Sequence, residues 1–465
     1  MMKKVSLLFV FILVLQTVGA QDSAKVLNAR AYLDLVMRNH PQVRQSQIAV
    51  ERGKAQLRKA RGAFDPSLEG SWSEKVFDGT NYYDLQDYGL KIPTWFGVEG
   101  FVGYNRNSGT YFNPENRTPA DGQWQAGVSV PLGQGLWVDK RRTVLRQAQV
   151  MRDASFVEQE QVVNDLLLQA GRVYWNWQQQ FREYVAFLEA EIIAEEVFEA
   201  VKMAYLYGDR AAIDTLEANI QRQNWVQMRL ESYLKFQTAG FELETFLWDQ
   251  QGRPLELSAA TQPDTSVGGA GLPFTQPVQP LTAALNNPAY RLIDYRRQQL
   301  KYEARWQAER LKPDVRVKLY ALNEPVNVQN LPFQGQRVGL DFKFPLFIRD
   351  ARGSLRLVKL QQETLALDQS QRELSLTNQL AALQLEYDQL VSLIATQFTQ
   401  VENLKSMLEA EKMRFKQGES SIFIINQREA QLVNGKLKFI QLQNRMQVNL
   451  LRQLHLTGSL LQVPN

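Results

Sequence analysis

Asn39-His40-Pro41-Gln42-Val43-Arg44 returns later in the chain as Asn286-Asn287-Pro288-Ala289-Tyr290-Arg291. At the same offset, Pro66 in Phe64-Asp65-Pro66-Ser67-Leu68 meets Pro313 in Leu311-Lys312-Pro313-Asp314-Val315, so two prolines and an arginine keep one register. Further on, Val128-Ser129-Val130-Pro131-Leu132 resembles Phe342-Lys343-Phe344-Pro345-Leu346, each followed by a basic segment, Lys140-Arg141-Arg142 and Arg349-Asp350-Ala351-Arg352. Lys202-Met203-Ala204-Tyr205 with Gly208 then matches Lys412-Met413-Arg414-Phe415 with Gly418. Landmarks in one order, twice, dictate the architecture before any element is assigned. The chain reads as two copies of one unit, 21–251 and 281–458, joined by a connector at 252–280 rich in Pro, Gly, Ser, Thr and Gln and followed by a tail at 459–465.

Proline placement divides each copy. None occurs from Leu132 to Arg253 or from Leu346 to Val463. An interior proline costs a helix about 3 kcal/mol, so these tracts are free to hold very long helices. Their apolar spacing predicts that they do. Leu376, Leu380, Leu383, Tyr387, Leu390 and Ile394 alternate steps of four and three, and the phase resumes at Val401, Leu404 and Leu408; Val163, Leu167, Ala170, Tyr174, Trp177, Phe181, Tyr184 and Leu188 form the same stripe in the first copy. That is coiled-coil packing with a polar opposite face. Long helices are expected at about 138–206 and 350–416, the first on the order of 100 Å at roughly 1.5 Å per residue. Gly208 and Gly418 should end them in left-handed residues at hairpin tips (207–212 and 417–420), with an Asp or Ser capping the returning helices at 213–250 and 421–457. Half-length helices are expected at 28–63 and 281–311.

Strand candidates lie between Pro66 and Pro131, within 67–132, and between Pro313 and Pro345, at 314–321 and 337–347. Val315, Val317, Leu319 and Ala321 alternate with Arg316, Lys318 and Tyr320; Trp124, Ala126, Val128, Val130 and Leu132 alternate with Gln123, Gln125, Gly127 and Ser129. Strands of about ten residues, apolar on one face and polar on the other and flanked by aromatics such as Trp72, Tyr88 and Trp95, suit a lipid-facing barrel with a wet lumen. Four strands close no barrel, and lipid tolerates no open edge, so several chains must share one. The insert from Tyr82 to Arg117 has no counterpart in the second copy. It either extends the sheet or decorates an external loop, and the loop is the preferred expectation.

The N-terminus, Met1-Met2-Lys3-Lys4 followed by an apolar run from Val5 to Leu15 and small residues up to Ala20, reads as a secretory signal peptide over 1–20. No later stretch reaches the roughly 18 to 20 apolar residues of a membrane helix. The 465 residues contain no cysteine, which excludes disulfides, a thiol nucleophile and thiolate metal sites. A net charge of +4 with interspersed signs argues against a nucleic-acid surface. The two histidines, His40 and His455, lack metal or catalytic spacing. Gly97-Val98-Glu99-Gly100-Phe101-Val102-Gly103 lacks the helix start and Lys-Ser/Thr of a phosphate loop and reads as strand glycines. No cofactor and no enzymatic activity are expected.

The order of elements resembles the TolC-type outer membrane efflux protein family over nearly the whole mature chain. The resemblance rests on Ala60-Arg61-Gly62-Ala63-Phe64-Asp65-Pro66, on Val130-Pro131-Leu132 and Phe344-Pro345-Leu346, and on the Tyr-x-x-Gly-like tips, all in duplicate. It implies a mainly α fold with a membrane β-barrel portion: a homotrimer in the outer membrane, four strands per protomer in a 12-stranded barrel, and helices forming an α-barrel that projects into the periplasm. It implies an exit duct for an efflux or secretion system, fed by an inner-membrane pump through a periplasmic adaptor docking at Tyr205, Tyr207, Gly208, Phe415 and Gly418. Some members narrow the periplasmic entrance with acidic residues at positions held here by Ile424 and Gln427. Asp214 matches an acidic position after the first tip, where it is either a gate residue or a solvated helix-start charge. Phe415 lacks the hydroxyl that a tyrosine there would offer it. The competing expectation is an exported periplasmic coiled-coil scaffold, which would keep the rods but has no need of two-faced strands.

Overall fold

A computed structural model describes residues 26–258, 260–265, 280–324 and 335–462; the signal peptide expected over 1–20, most of the expected connector and the last three residues lie outside them. In chain order the main elements are β1 (Val26–Leu27), α1 (Ala29–Asn39), α2 (Pro41–Arg61), β2 (Ser67–Phe77), β3 (Thr80–Pro93), β4 (Glu99–Ser108), β5 (Gln123–Pro131), α3 (Lys140–Leu206), α4 (Ala212–Glu244), β6 (Gln262–Pro263), α5 (Pro288–Glu309), β7 (Asp314–Asn323), β8 (Gly335–Lys343), α6 (Arg349–Lys416) and α7 (Ile422–Thr457). The long helices have 67 and 68 residues. Where one helix is expected over 28–63 there are two, because Pro41 holds His40 extended at ψ 134° and the chain restarts after it. The residues form two compact units, and each repeat contributes to both.

The first unit comprises 26–44, 163–280 and 380–465 as far as described, and it is helical apart from the parallel pair β1–β6, Val26 opposite Gln262 and Leu27 opposite Pro263. Its core is built by the sequence stripe of α3. Val163, Leu167, Ala170, Tyr174 and Trp177 are buried with Tyr32 and Val36 of α1, Leu243 of α4 and Leu451 of α7. The Tyr174 hydroxyl donates to the Leu27 carbonyl at 2.9 Å, which ties the N-terminal segment to the bundle. Gly171 lets α7 come close: a Cβ there would meet the Leu451 side chain at 2.6 Å. On α6, Leu380, Leu390 and Leu408 of the second stripe are buried, whereas Leu385, Val391, Leu393 and Phe398 between them are exposed.

The second unit comprises 45–162 and 281–379 as far as described. Leu57 and Ala60 of α2 pack on Ala148 of α3, and Gly53 lies against Ser155, whose Oγ would be 2.8 Å from an added Cβ. Besides α5 and the first part of α6, the unit holds one antiparallel sheet in the order β2-β3-β4-β5-β7-β8. Six strands stand where four were expected, and the 82–117 insert is the source. Most of it is strand: β3 and β4 lie between β2 and β5, and only the short turn at 94–98 and the link after Ser108 are not strand. The backbone reason is the turn Asp78-Gly79, both at positive φ (50° and 70°), joining Phe77 to Thr80 in the two-residue geometry that matches strand twist.

Paired residues share a face, and the two faces differ in chemistry. On one, Leu90, Val102, Ala126 and Ala321 lie in one cross-strand row, and Val317 opposes Leu340. On the other, Ser71, Asp87, Asn105 and Gln123 form a row. There the Gln125 amide donates to Asn105 at 2.6 Å and accepts from Arg337 at 2.8 Å, while the Arg337 guanidinium lies 4.5 Å from the Tyr320 ring centre. Gly97 sits at φ 94° in the β3–β4 turn, whereas Gly100 and Gly103 are strand residues, so the glycine-rich stretch divides between turn and strand.

Candidate functional site: the helical hairpin tips

Both long helices end alike. At the α3 end Gly208 takes φ 81°, its N–H donates to the Tyr205 carbonyl at 3.0 Å, and the Asp209 N–H reaches back to the Ala204 carbonyl at 2.9 Å. At the α6 end Gly418 also has φ 81°, with Gly418 N–H to Phe415 carbonyl at 3.1 Å and Glu419 N–H to Arg414 carbonyl at 3.0 Å. This is the Schellman closure, which satisfies orphan carbonyls with a left-handed residue that glycine adopts without a Cβ penalty. The returning helices start differently from expectation. The residue before α4 is Ala211, which has no capping side chain, and Ser421 before α7 makes no side-chain cap. Ser420 instead donates its hydroxyl to Glu411, a buried carboxylate that also faces Arg414 at 3.6 Å.

The tips touch each other. Arg210 donates to the Phe415 carbonyl at 3.3 Å and lays its guanidinium 4.2 Å from the Phe415 ring centre. Phe415 therefore engages the first tip through its π-face, where a tyrosine would offer a hydroxyl. Beneath this contact Val201, Ala218 and Ile422 form a buried cluster with Phe198 and Phe415 packed on it. Arg210 is the residue that sequence reasoning missed; its position two after the tip glycine was the available signal.

Of the sequence candidates, Tyr205 and Tyr207 are exposed, Tyr207 at 76%, and continue into an apolar ridge with Leu206, Ile213 and Leu216. Asp214 is half-buried in the first turn of α4, and among the described residues it makes no ion pair. Ile424 is half-buried and Gln427 exposed on α7. Two residues on, Glu429 is buried, with burial raising its carboxyl to about 7 against the pull of Lys412 and the Trp225 indole. His40 is also buried, stacked 5.8 Å from Phe246, with burial lowering its pKa. His455 pairs with Asp165 at 2.6 Å. Among the described residues no group of three or more His, Cys, Asp or Glu is placed to hold a metal ion, and no helix is long and apolar enough to cross a membrane.

The fold has close counterparts among solved structures. The outer-membrane channel OprN superposes with a TM-score of 0.69 at 14% identity, over 93% of this chain and 90% of that one. VceC, an outer membrane protein of Vibrio cholerae, gives 0.65 at 12% identity over 92% and 96%, and the Campylobacter jejuni outer membrane channel CmeC gives 0.64 at 14% over 93% and 85%. The chain has the TolC-type channel fold. No protein-family model matches the chain, and no curated protein matches it in sequence. With identities this low, the TolC-type likeness resides in the duplicated order of helix, strands, long helix, tip and returning helix rather than in particular side chains.

Proposed function

We propose that this chain is one protomer of a trimeric outer-membrane channel, the passive exit duct of an efflux or secretion system. The carrying observation is the open sheet, apolar on one face and polar on the other, with edges at both ends that are unpaired among the described residues. A sheet of that kind is stable in lipid only when its edges are closed, and one chain does not close them. The helices support assembly independently. α4 exposes Ile213, Leu216, Ile220, Leu230, Leu234 and Phe241 in steps that keep a coiled-coil phase, a ridge that water alone would leave uncovered.

In this reading the apolar sheet face meets outer-membrane lipid, the helices project into the periplasm, and the tips around Tyr205, Tyr207, Gly208, Phe415 and Gly418 receive a periplasmic adaptor and its inner-membrane pump. Asp214, Ile424 and Gln427 are assigned to the entrance. Ile424 and Gln427 supply no carboxylate there, so the entrance exerts little selection for cations, and cargo choice rests with the pump. No nucleic acid, cofactor or catalysed reaction enters this reading.

The decisive experiment extracts the outer-membrane fraction in mild detergent and determines particle mass and single-channel conductance in a planar bilayer. A conducting trimer is the expected result. A soluble periplasmic monomer or dimer without conductance would overturn the channel and leave the coiled-coil scaffold.

A further inference from the structure

Resting on the channel reading, we propose that β2 of one copy pairs edge to edge with β8 of the next, so that three six-stranded sheets close an eighteen-stranded barrel with β3 and β4 in its wall. Among the described residues both edges are unpaired within the chain, and they carry the largest apolar exposures of the strand residues: Leu68 at 83% and Trp72 at 66% on β2, Leu340 and Phe342 both at 68% on β8. These side chains flank rows of free backbone donors and acceptors that lipid would leave unsatisfied.

The insert strands have the chemistry of barrel wall. On the apolar face Tyr88, Tyr104 and Trp124 occupy one row across β3, β4 and β5, with the last two rings 5.4 Å apart. Beyond that row the same face turns polar, at Gln86 and Arg106. At the opposite end the β3–β4 turn exposes Trp95 and Phe96. An apolar band between two aromatic borders is what a lipid-facing strand requires. On the polar face, Asn105 of β4 belongs to the same hydrogen-bonded network as Gln125 and Arg337. The Phe101 ring covers Gly89 and Gly103, where an added Cβ would meet it at 2.6 and 2.7 Å, an aromatic filling the space left by glycines on adjacent strands. A hairpin hung outside the wall would have no use for either face.

The repeat supplies the register. β5 and β8 each run into a long helix, and β7 and β2 each follow a half-length one. Pro131 corresponds to Pro345 and Pro66 to Pro313. The seam between the two copies inside one chain, β5 on β7, therefore has its counterpart in β8 on β2 of the next chain. The observed pair Val128–Leu319 transfers to Phe342–Trp72, Gly127–Tyr320 to Asp341–Ser73, and the Leu132 N–H bond to the Val315 carbonyl becomes Leu346 to Leu68. The three transferred pairs join like faces, apolar to apolar at Phe342–Trp72 and Leu346–Leu68 and polar to polar at Asp341–Ser73, whereas Ala126–Ala321 transfers to Leu340–Glu74, with Glu74 beyond the aromatic row where that face is already polar. That agreement is not built into the transfer, because a register off by one residue would put Phe342 on the lumen side. With diameter growing roughly linearly in strand number, this barrel is about half again as wide as a twelve-stranded one.

The test uses the absence of cysteine. Ser73→Cys with Asp341→Cys falls at a non-hydrogen-bonded pair, where antiparallel Cα atoms approach to about 4.5 Å and a disulfide fits. Oxidised outer membranes should yield covalent dimers and trimers on a non-reducing gel, while Ser73→Cys with Arg337→Cys yields none. A conducting trimer that forms no link at the first pair overturns the eighteen-stranded closure but leaves the channel; a particle that is not trimeric overturns both. Independently of any variant, an electron cryomicroscopy map of the wild-type trimer should show eighteen strands, and twelve would refute the proposal.

Discussion

Glu429 occupies a stripe position on α7, in step with Ile422, Ile425 and Leu432, all buried. In the folded chain burial holds its carboxyl to about 7, above the ordinary 4.5. Below pH 4.5 both states keep the proton and the contribution to stability is complete. As pH rises from there the unfolded chain ionises first, so stability is lost up to about pH 7 and is constant beyond, a change on the order of 3 kcal/mol. His40 works in the opposite sense, because burial lowers its pKa and its contribution is lost as pH falls. The comparison must therefore isolate Glu429: Glu429→Gln should flatten the fall in melting temperature of the detergent-solubilised protein between pH 5 and 8, and an unchanged slope would remove the buried acid from the account. Its role was legible in principle. The four-and-three spacing that identifies the α7 core runs through position 429, but a charged residue beside Arg428 invites assignment to the wet face.

At the scale of elements, the tips are held by backbone closure and one inter-tip contact. Gly208→Ala and Gly418→Ala meet no neighbouring atom within 4 Å, so their cost is the left-handed conformation alone, about 1 kcal/mol. Amide hydrogen exchange at each tip should accelerate about fivefold while the core at Tyr174 and Leu451 is unaffected; equal protection in wild type and variant would show that the closure does not limit opening. Arg210→Ala and Phe415→Ala should be non-additive by about 0.5 to 1 kcal/mol in a double-mutant cycle read by the same exchange. The long helices were readable because proline-free tracts and a sustained stripe leave few alternatives. The caps were not, since Ser420 and Ser421 are adjacent and only tertiary placement sends a hydroxyl to Glu411. The insert was misjudged for want of its turn: Asp78-Gly79 between alternating segments is a strong hairpin signal, whereas the weak pattern of a barrel strand, broken by Gly89 and Gly103, was not enough by itself.

For the whole molecule, the duplication implies that β3 and β4 can be removed as a pair without breaking the antiparallel order, since β2 runs opposite to β5 as β7 runs opposite to β8. Transferring the β7–β8 register to the first copy puts Leu68 beside Val128 and Trp72 beside Trp124, like faces again. Excision of Thr80 to Arg117 keeps Asp78-Gly79 at the apex and leaves four strands per chain. The variant should assemble as a trimer with a twelve-stranded barrel, narrower by about a third. Its mouth should exclude neutral polymers, added from the side opposite the helices, that still enter the wild-type channel. Assembly with an unchanged exclusion limit would mean that the hairpin never formed part of the wall. Failure to assemble, with the helical unit still folded by circular dichroism, would mean that the wider closure has become obligatory for this chain. Either result concerns the wall alone, because α3 and α6, which set the coiled-coil stripes, are left intact.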